Sequence, residues 1–276
     1  MRVTILGCGT SSGVPMIGCD CPVCTSTDPR NHRTRCSILV EAHGQRILVD
    51  TGPDMRIQLL AARVHALDAL IYTHAHADHV HGIDDVRTIN NLIGRGLPTY
   101  ADGTVFERIR ARFDYAFQDN NAEHGFWRPQ LVPHAFAGPF RIGDVEVEPF
   151  RQGHGRGESW GLRFGPFAYS TDADDLDEAA FAALEGVEVW VVDALRDRPH
   201  PSHAHLKRTL RWIERVKPKR AFLTHMNHEV DYADWLARLP AGVEPAYDGL
   251  VIETGEPSRR RKPTPGMTES LSTFSM

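Results

Sequence analysis

The chain has no apolar run approaching the ~18 residues that a membrane span needs, so no transmembrane segment is expected. It also opens without a signal-peptide pattern. Met1-Arg2-Val3-Thr4-Ile5-Leu6-Gly7 runs directly into strand-like sequence, and the cytoplasm is the expected compartment. Cysteine is scarce: five residues, an odd number, argue against a disulfide framework. An excess of charge of either sign is lacking too. A net charge of −5 over 276 residues gives no general reason to expect a nucleic-acid partner. There is no internal repeat and no composition shift that would mark a linker. The glycine-rich turn Gly7-Cys8-Gly9-Thr10-Ser11-Ser12-Gly13-Val14-Pro15 lacks the Gly-Lys-Ser/Thr ending of a phosphate-cradling loop. No helical pattern follows it, as a dinucleotide fold would require. It reads as a tight loop that needs permissive backbone, or alternatively as a loop wall beside a functional site.

What remains is the composition of an ordinary globular protein, 41 % hydrophobic and 24 % charged. The chain is long enough to bury a sizeable core. One domain is expected over residues 1–255. The segment 256–276 is rich in Pro, Ser, Thr and Arg without apolar periodicity, which predicts a disordered tail. Its basic run Ser258-Arg259-Arg260-Arg261-Lys262 reads as solvated charge.

Against these absences stands an excess of histidine, fifteen in all. The densest stretch is Thr73-His74-Ala75-His76-Ala77-Asp78-His79. It follows the apolar run Ala69-Leu70-Ile71-Tyr72, which predicts a buried strand. In an extended segment His74 and His76 point the same way. Asp78 and His79 fall where the chain must turn, so one short loop can serve two metal ions. Imidazole with carboxylate suits zinc, manganese or iron. The cysteines are crowded too: Cys19, Cys21 and Cys24 offer three ligands of a closed tetrahedral site whose fourth must come from elsewhere in the chain.

Strand and helix patterns alternate along the chain, so an α/β fold is expected. Cys36–Glu41 and Gln45–Asp50 read as a hairpin. Residues 55–64 read as an amphipathic helix with Ile57, Leu60, Ala61 and Val64 on its apolar face. Residues 119–129 read as a surface loop. Buried strands repeatedly finish in a ligand-type residue: His74, His154, Asp172 and His225. In α/β sheets such strand ends converge in space. His74, His76 and His154 can hold one ion. Asp78, His79 and His225 can hold a second, with the Asp172 carboxylate bridging the pair.

The set His74-x-His76-x-Asp78-His79, then His154, Asp172 and His225, resembles the metallo-β-lactamase fold hydrolases over roughly residues 1–255. That resemblance implies a four-layer αββα sandwich with a dinuclear site along one edge of its two sheets. The glycine-rich turn followed by Cys19-x-Cys21-x-x-Cys24 is similar to the phosphoribosyl cyclic phosphodiesterase subgroup of the carbon–phosphorus lyase pathway. The subgroup resemblance implies a structural zinc on Cys19, Cys21, Cys24 and His228. It also implies a general-acid role for His203, in preference to His205, which stands at a helix-cap position.

The activity implied is metal-dependent hydrolysis of a small cyclic phosphate or nucleotide-like diester. Two divalent ions, zinc or manganese, lower the pKa of a shared water. Asp78 is expected to orient that water, and His203 to protonate the leaving oxygen or contact the phosphate. Ser11, Arg156 and Ser159 lie near the site loops in sequence and are candidate substrate contacts. The partner expected is a small molecule, with neither membrane nor polymeric nucleic acid, and a homodimer is one option for assembly. A tRNA 3′-processing endonuclease shares much of the motif but calls for a basic arm that is not evident. Lactone, thioester and β-lactam hydrolysis are further options. A metal-stabilised binding protein without turnover is the non-enzymatic alternative, against which the full ligand set stands. A di-iron oxidoreductase is disfavoured because such relatives usually carry Glu where this chain has His76.

Overall fold

The computed structural model describes residues 1–119 and 125–255. The tail expected over 256–276 and the middle of the loop expected at 119–129 lie outside the described residues. The first half of the chain starts with β1 (Arg2–Gly7), then the hairpin of β2 (Ser37–Ala42) and β3 (Gln45–Val49). Helix α1 (Met55–Ala61) leads to β4 (Ala69–Ile71), the single turn α2 (Ala77–Val80), α3 (Val86–Ile93), β5 (Leu97–Asp102), α4 (Gly103–Phe113) and β6 (Leu131–Phe136). The second half continues with β7 (Phe140–Ile142), β8 (Val145–His154), β9 (Gly157–Phe164), β10 (Phe167–Ser170), α5 (Glu178–Ala183), β11 (Val189–Asp193), α6 (Leu206–Val216), β12 (Arg220–Thr224), α7 (Tyr232–Arg238) and β13 (Val243–Pro245). The last strand, β14 (Val251–Glu253), returns to the first half. Two seven-stranded sheets result, ordered β14-β1-β2-β3-β4-β5-β6 and β13-β12-β11-β10-β9-β8-β7.

Side-chain alternation explains the layering. Along β2, β3 and β4, Ile38, Val40, Ile47, Val49, Ala69 and Ile71 point into the space between the sheets, where they join Val147, Leu162, Tyr169 and Val191. Leu39, Leu48 and Leu70 point the other way and meet Met55, Leu59, Val86, Ile89 and Ile109 from α1, α3 and α4. Successive strand residues face opposite sides, so strands buried on both faces must read as continuous apolar runs. On the far side of the second sheet, α5, α6 and α7 supply Ala180, Leu206, Trp212 and Trp235. The layers are helix, sheet, sheet, helix, as the motifs implied. Among the described residues no helix is long and apolar enough to cross a membrane.

The structure departs from the sequence reading in three places. β7 and β13 were not anticipated, because three residues are too few to display a period of two. β8 and β9 form one long hairpin, paired from Glu148–Arg163 to His154–Gly157, where only its two ends were expected as strands. Helix α1 is correctly located but its face is wrong. Met55, Gln58 and Leu59 are the buried residues, whereas Ile57 and Leu60 are 51 % and 62 % exposed. The helix ends at Ala61, so the i, i+3, i+4, i+7 stripe drawn to Val64 ran past its end.

Truncating Leu59 to alanine should therefore cost about 2–4 kcal/mol of unfolding free energy. Leu60→Ala should stay within about 0.5 kcal/mol. Denaturant titration of both variants checks the assignment, and equal losses would reject the orientation of α1.

Candidate metal centre

Parallel pairing sets the site. β10, β11 and β12 run side by side, with Ser170 opposite Val192 and Asp193 opposite Thr224. Their C-terminal ends lie on one sheet edge, with Asp172 two residues past β10 and His225 directly after β12. In the other sheet β3 and β4 are also parallel, and they deliver Asp50 and the His74–His79 loop. Asp50, Asp172 and His225 adopt positive φ of 64°, 53° and 59°. For non-glycine residues such backbone costs on the order of 1–3 kcal/mol each. All three occur where a strand ends and a side chain must turn toward the site. Gly52 lets the backbone behind the ligand loop close up: a Cβ there would meet the Asp78 carbonyl oxygen at 2.3 Å.

Two donor groups form, each with its ligand atoms within 4.8 Å of one another. One is His74, His76, His154 and Asp172; the other is Asp78, His79, Asp172 and His225. Asp172 belongs to both, where a bridging carboxylate was expected. His76 Nδ1 faces His74 Nε2 at 3.0 Å and His154 Nε2 at 3.1 Å. On the second side His79 Nε2 lies 3.1 Å from Asp172 and 3.3 Å from Asp78, and His225 Nε2 lies 3.3 Å from Asp172. Both Nε2 atoms are buried and make no hydrogen bond. Buried imidazole nitrogens are normally satisfied, so nitrogens aimed at carboxylates without bonding them are the donor set of a cation site. Nitrogen and oxygen donors of this mix suit zinc or manganese.

Outer groups fix which ring nitrogen is free. His79 Nδ1 donates to Asp50 Oδ2 at 2.8 Å. His154 Nδ1 donates to the Ser202 carbonyl at 2.7 Å. His74 Nδ1 contacts Thr73 Oγ1 at 3.0 Å, and that hydroxyl donates to Asp50 Oδ2 at 2.8 Å. In each case the proton sits on Nδ1 and leaves Nε2 as a donor to a cation.

The electrostatics point the same way. Burial pushes the His79 imidazolium down, but the carboxylates of Asp172, Asp78 and Asp50 outweigh it and hold its pKa well above the ordinary value. His225 behaves alike, with burial opposed mainly by Asp172 and the balance at about 9. Burial pushes Asp172 and Asp78 up, yet their histidine neighbours keep both well below the usual carboxylate range. His74 is pulled down, first by burial and then by His79. The centre therefore attracts positive charge and cannot take it as a proton on every imidazole, a demand that divalent cations meet.

Two carboxylates that the sequence reading passed over as plain strand ends belong to this site. Asp50 orients ligands, as above. Asp193 accepts from His203 Nδ1 at 2.9 Å and from the Ala173 N–H at 3.0 Å. The signal was available, since each stands at the end of a buried strand: Asp193 is the last residue of β11 and Asp50 follows β3. His203 stacks on His225 with ring centroids 4.3 Å apart and lies 4.8 Å from His154. His205 precedes the first residue of α6 without capping it and belongs to neither donor group.

Cys19, Cys21 and Cys24 hold their sulfurs within 4.8 Å of one another. The Cys24 N–H points at Cys21 Sγ at 3.4 Å and holds that thiol's pKa down, while burial pushes Cys24 up to about 11. The His228 imidazole is not in the group; its carbonyl accepts from Cys21 Sγ at 3.5 Å.

A cleft of about 550 Å³ opens beside His74, His76 and His154. Its wall includes Arg156, Glu158 and Ser202, and also Arg108 and Arg112 of α4, which the sequence reading did not single out. Arg156 thus lies at the cleft. Ser159 does not: it is fully buried, and its hydroxyl donates to the Asp172 carbonyl at 2.8 Å. Its place in the β8–β9 hairpin turns it inward, behind the metal ligand. Ser11 is exposed, outside the residues that line this cleft.

A helix-flanked double sheet with histidine and aspartate ligands at the shared strand edge defines a metal-dependent hydrolase of the metallo-β-lactamase fold. Residues 45–226 match the beta-lactamase superfamily domain, and the chain belongs to that superfamily. It is similar to a solved structure described as a new diphosphatase from the PhnP family. The identity is 36 % and the TM-score 0.86, over 92 % of this chain and 98 % of that one. Zinc-bound PqqB from Methylobacterium extorquens shares the fold, with a TM-score of 0.75 at 19 % identity over 92 % of this chain and all of that one. An octanoyltransferase of Porphyromonas gingivalis is 38 % identical over 253 residues, covering 91 % of this chain and 51 % of the relative. The chain thus spans about half the length of that curated relative.

Asp172→Asn tests the shared carboxylate, since asparagine tolerates the positive φ but lacks the charge. Elemental analysis of the purified variant should show both active-site metals lost together; retention of the wild-type content would refute a bridging role. Cys21→Ser should lower bound zinc and the midpoint of thermal unfolding while the folded fraction keeps its specific activity. Unchanged zinc would remove the cysteine site.

Proposed function

We propose that the protein is a phosphodiesterase acting on a small cyclic or nucleotide-like phosphodiester, with two divalent ions at the histidine–aspartate centre and a structural zinc on the cysteines. The observation that carries this reading is the pair of donor groups sharing Asp172 at the mouth of an arginine-walled cleft. The 36 % identity to a PhnP-family diphosphatase along the whole of that chain supports phosphorus over a carbonyl substrate.

His74, His76 and His154 would hold one ion and Asp78, His79 and His225 the other, with Asp172 between them. Bound there, divalent ions make water a nucleophile at neutral pH and neutralise charge on phosphoryl oxygens. Asp78 is 12 % exposed at its side chain and would accept a hydrogen bond from the attacking water and orient it. His203 has Nδ1 committed to Asp193, so its Nε2 is the atom that delivers a proton to the leaving oxygen. Asp193 fixes the direction of that ring, as a carboxylate does for a catalytic histidine. The hairpin tip Gly155-Arg156 and the arginines of α4 hold the phosphate-bearing substrate against the ligand edge. The small cleft favours a small molecule over folded RNA, and a cytoplasmic setting accords with free thiols at the cysteine cluster.

Metal content and turnover of bis-p-nitrophenyl phosphate, measured on one preparation, test the proposal. About three metals per chain with turnover is the expected result. A preparation reconstituted with zinc or manganese that still fails to cleave the diester would sink it. His203→Gln and Asp193→Asn should each lower kcat by at least about 10² with KM little changed. A change confined to KM would assign both residues to binding instead.

A further inference from the structure

Helix α1 carries a second aliphatic face. Met55 and Leu59 are buried beneath it. Ile57 and Ala61, four residues apart and so on one face, are exposed. They form one wall of a trough of about 650 Å³, a volume in the range of small-molecule sites. The other wall is the outer surface of the first sheet. Thr4, Leu6 and Leu39 are recessed there, at most 8 % exposed, and Val251 of β14 stands at the rim. Every apolar side chain in the lining is aliphatic, and none of the lining residues belongs to a metal donor group.

The two ends of the trough differ in charge. At one end Arg2 of β1 is paired with Glu41 of β2, and Glu41 with Arg46 of β3. The chain after α1 leads to Asp68, which exchanges hydrogen bonds with the Arg46 backbone, so Arg63 lies at this end too. Arg2 and Arg46 share the Glu41 carboxylate, at 3.9 and 3.4 Å. Arg63 is exposed, and its side chain has no hydrogen-bond or ion-pair partner among the described residues. It stands just past the helix at a φ of 53°, a place usually filled by glycine. The lining of this end thus holds three guanidiniums and one carboxylate. At the other end Asp248 is already engaged: the Thr34 N–H and hydroxyl donate to Oδ2, and the Cys8 N–H and thiol to Oδ1. From Arg2 to Leu6 the strand covers about 13 Å.

We propose that this trough binds a medium-chain aliphatic carboxylate, with its tail between α1 and the Leu6–Leu39 floor and its carboxylate on Arg63. The aliphatic lining gives a chain the area it needs and gives a ring no partner to stack on. The excess of guanidinium at one end sets the sign of the head group and the direction of the chain. A second copy of the protein laid over this face would meet Ile57 and the rim but not the recessed floor, which a thin chain reaches. The site is separate from the metal centre and does not depend on the phosphodiesterase reading.

Calorimetric titration of the metal-loaded protein with butyrate, hexanoate and octanoate tests the site. Affinity should rise about fourfold for each methylene buried, so octanoate should bind more than tenfold tighter than hexanoate. Octylamine, with the charge reversed, should bind at least tenfold more weakly than octanoate. R63Q should weaken octanoate by about tenfold, and R63K should recover part of the loss. A61E, at an exposed position, should abolish binding while leaving the unfolding midpoint unchanged. Equal affinity along the series, or octanoate binding that neither R63Q nor A61E moves, overturns the proposal. Binding lost in D172N but kept in A61E would place the carboxylate at the metal centre and overturns it equally. Sedimentation supplies the remaining check: a dimer that A61E dissociates and octanoate does not would make a second copy the occupant, and the ligand site would be rejected.

Discussion

One buried carboxylate organises the site. Asp50 is fully inaccessible to solvent and sits at positive φ past the end of β3. Burying a charge of this kind costs several kcal/mol unless donors surround it. Here the Thr73 N–H, the Thr73 hydroxyl and His79 Nδ1 all donate to it within 2.8 Å. Even so, desolvation leaves its pKa raised, with His79 the main opposing influence. Through His79 it orients a member of one donor group, and through Thr73 it orients His74, a member of the other. Its position follows from the register of β3 on β4, so a slip in that pairing would misdirect both halves of the centre at once.

Side chains tie the N-terminal loop to the loop after β12. Arg33 is 1 % exposed, and its guanidinium donates to the Asn227 and Val230 carbonyls and to Asn31 Oδ1. Asn31 Nδ2 in turn donates to Asp231 at 2.8 Å. Val14, Val23 and Cys24 add a small apolar cluster of their own. A zinc on the cysteines would thus reinforce a junction already held by a buried arginine. The same junction sets the direction of His225, which stands two residues before Asn227.

The donor residues that the fold brings together were legible because their signal is local and redundant. The His74–His79 loop carries four donor side chains in six positions, and His154, Asp172 and His225 each follow an apolar run that only a buried strand explains. The sandwich was legible for a related reason: strands such as Ile47-Leu48-Val49 and Ala69-Leu70-Ile71 are apolar on both faces and need cover on both sides. What escaped the reading depends on neighbours distant in sequence. Nothing around Asp193 says that His203 will lie beside it, and nothing around Arg108 says that its face of α4 will meet the tip of the β8–β9 hairpin. Ser159 looked like a site residue by its nearness to His154, but strand alternation places it on the inner face. The exposed side of α1 was misjudged because both candidate faces of that short helix carry aliphatic residues, and only the sheet beneath decides between them.

The position of β1 has a consequence for synthesis. β1 is not an edge strand: it lies between β2 and β14, with Val3 paired to both Val40 and Ile252. The amino terminus donates to the Thr254 carbonyl at 2.9 Å. The ligand residues are all translated by His225, some 28 positions before β14 ends. A nascent chain can therefore hold every metal ligand while one side of β1 is still without its partner. Chains stalled or cut in that interval would carry an unpaired strand edge, the kind of surface through which incomplete proteins aggregate. The last strand works as a closing seam, and the folded state is reached only when the two ends of the domain meet.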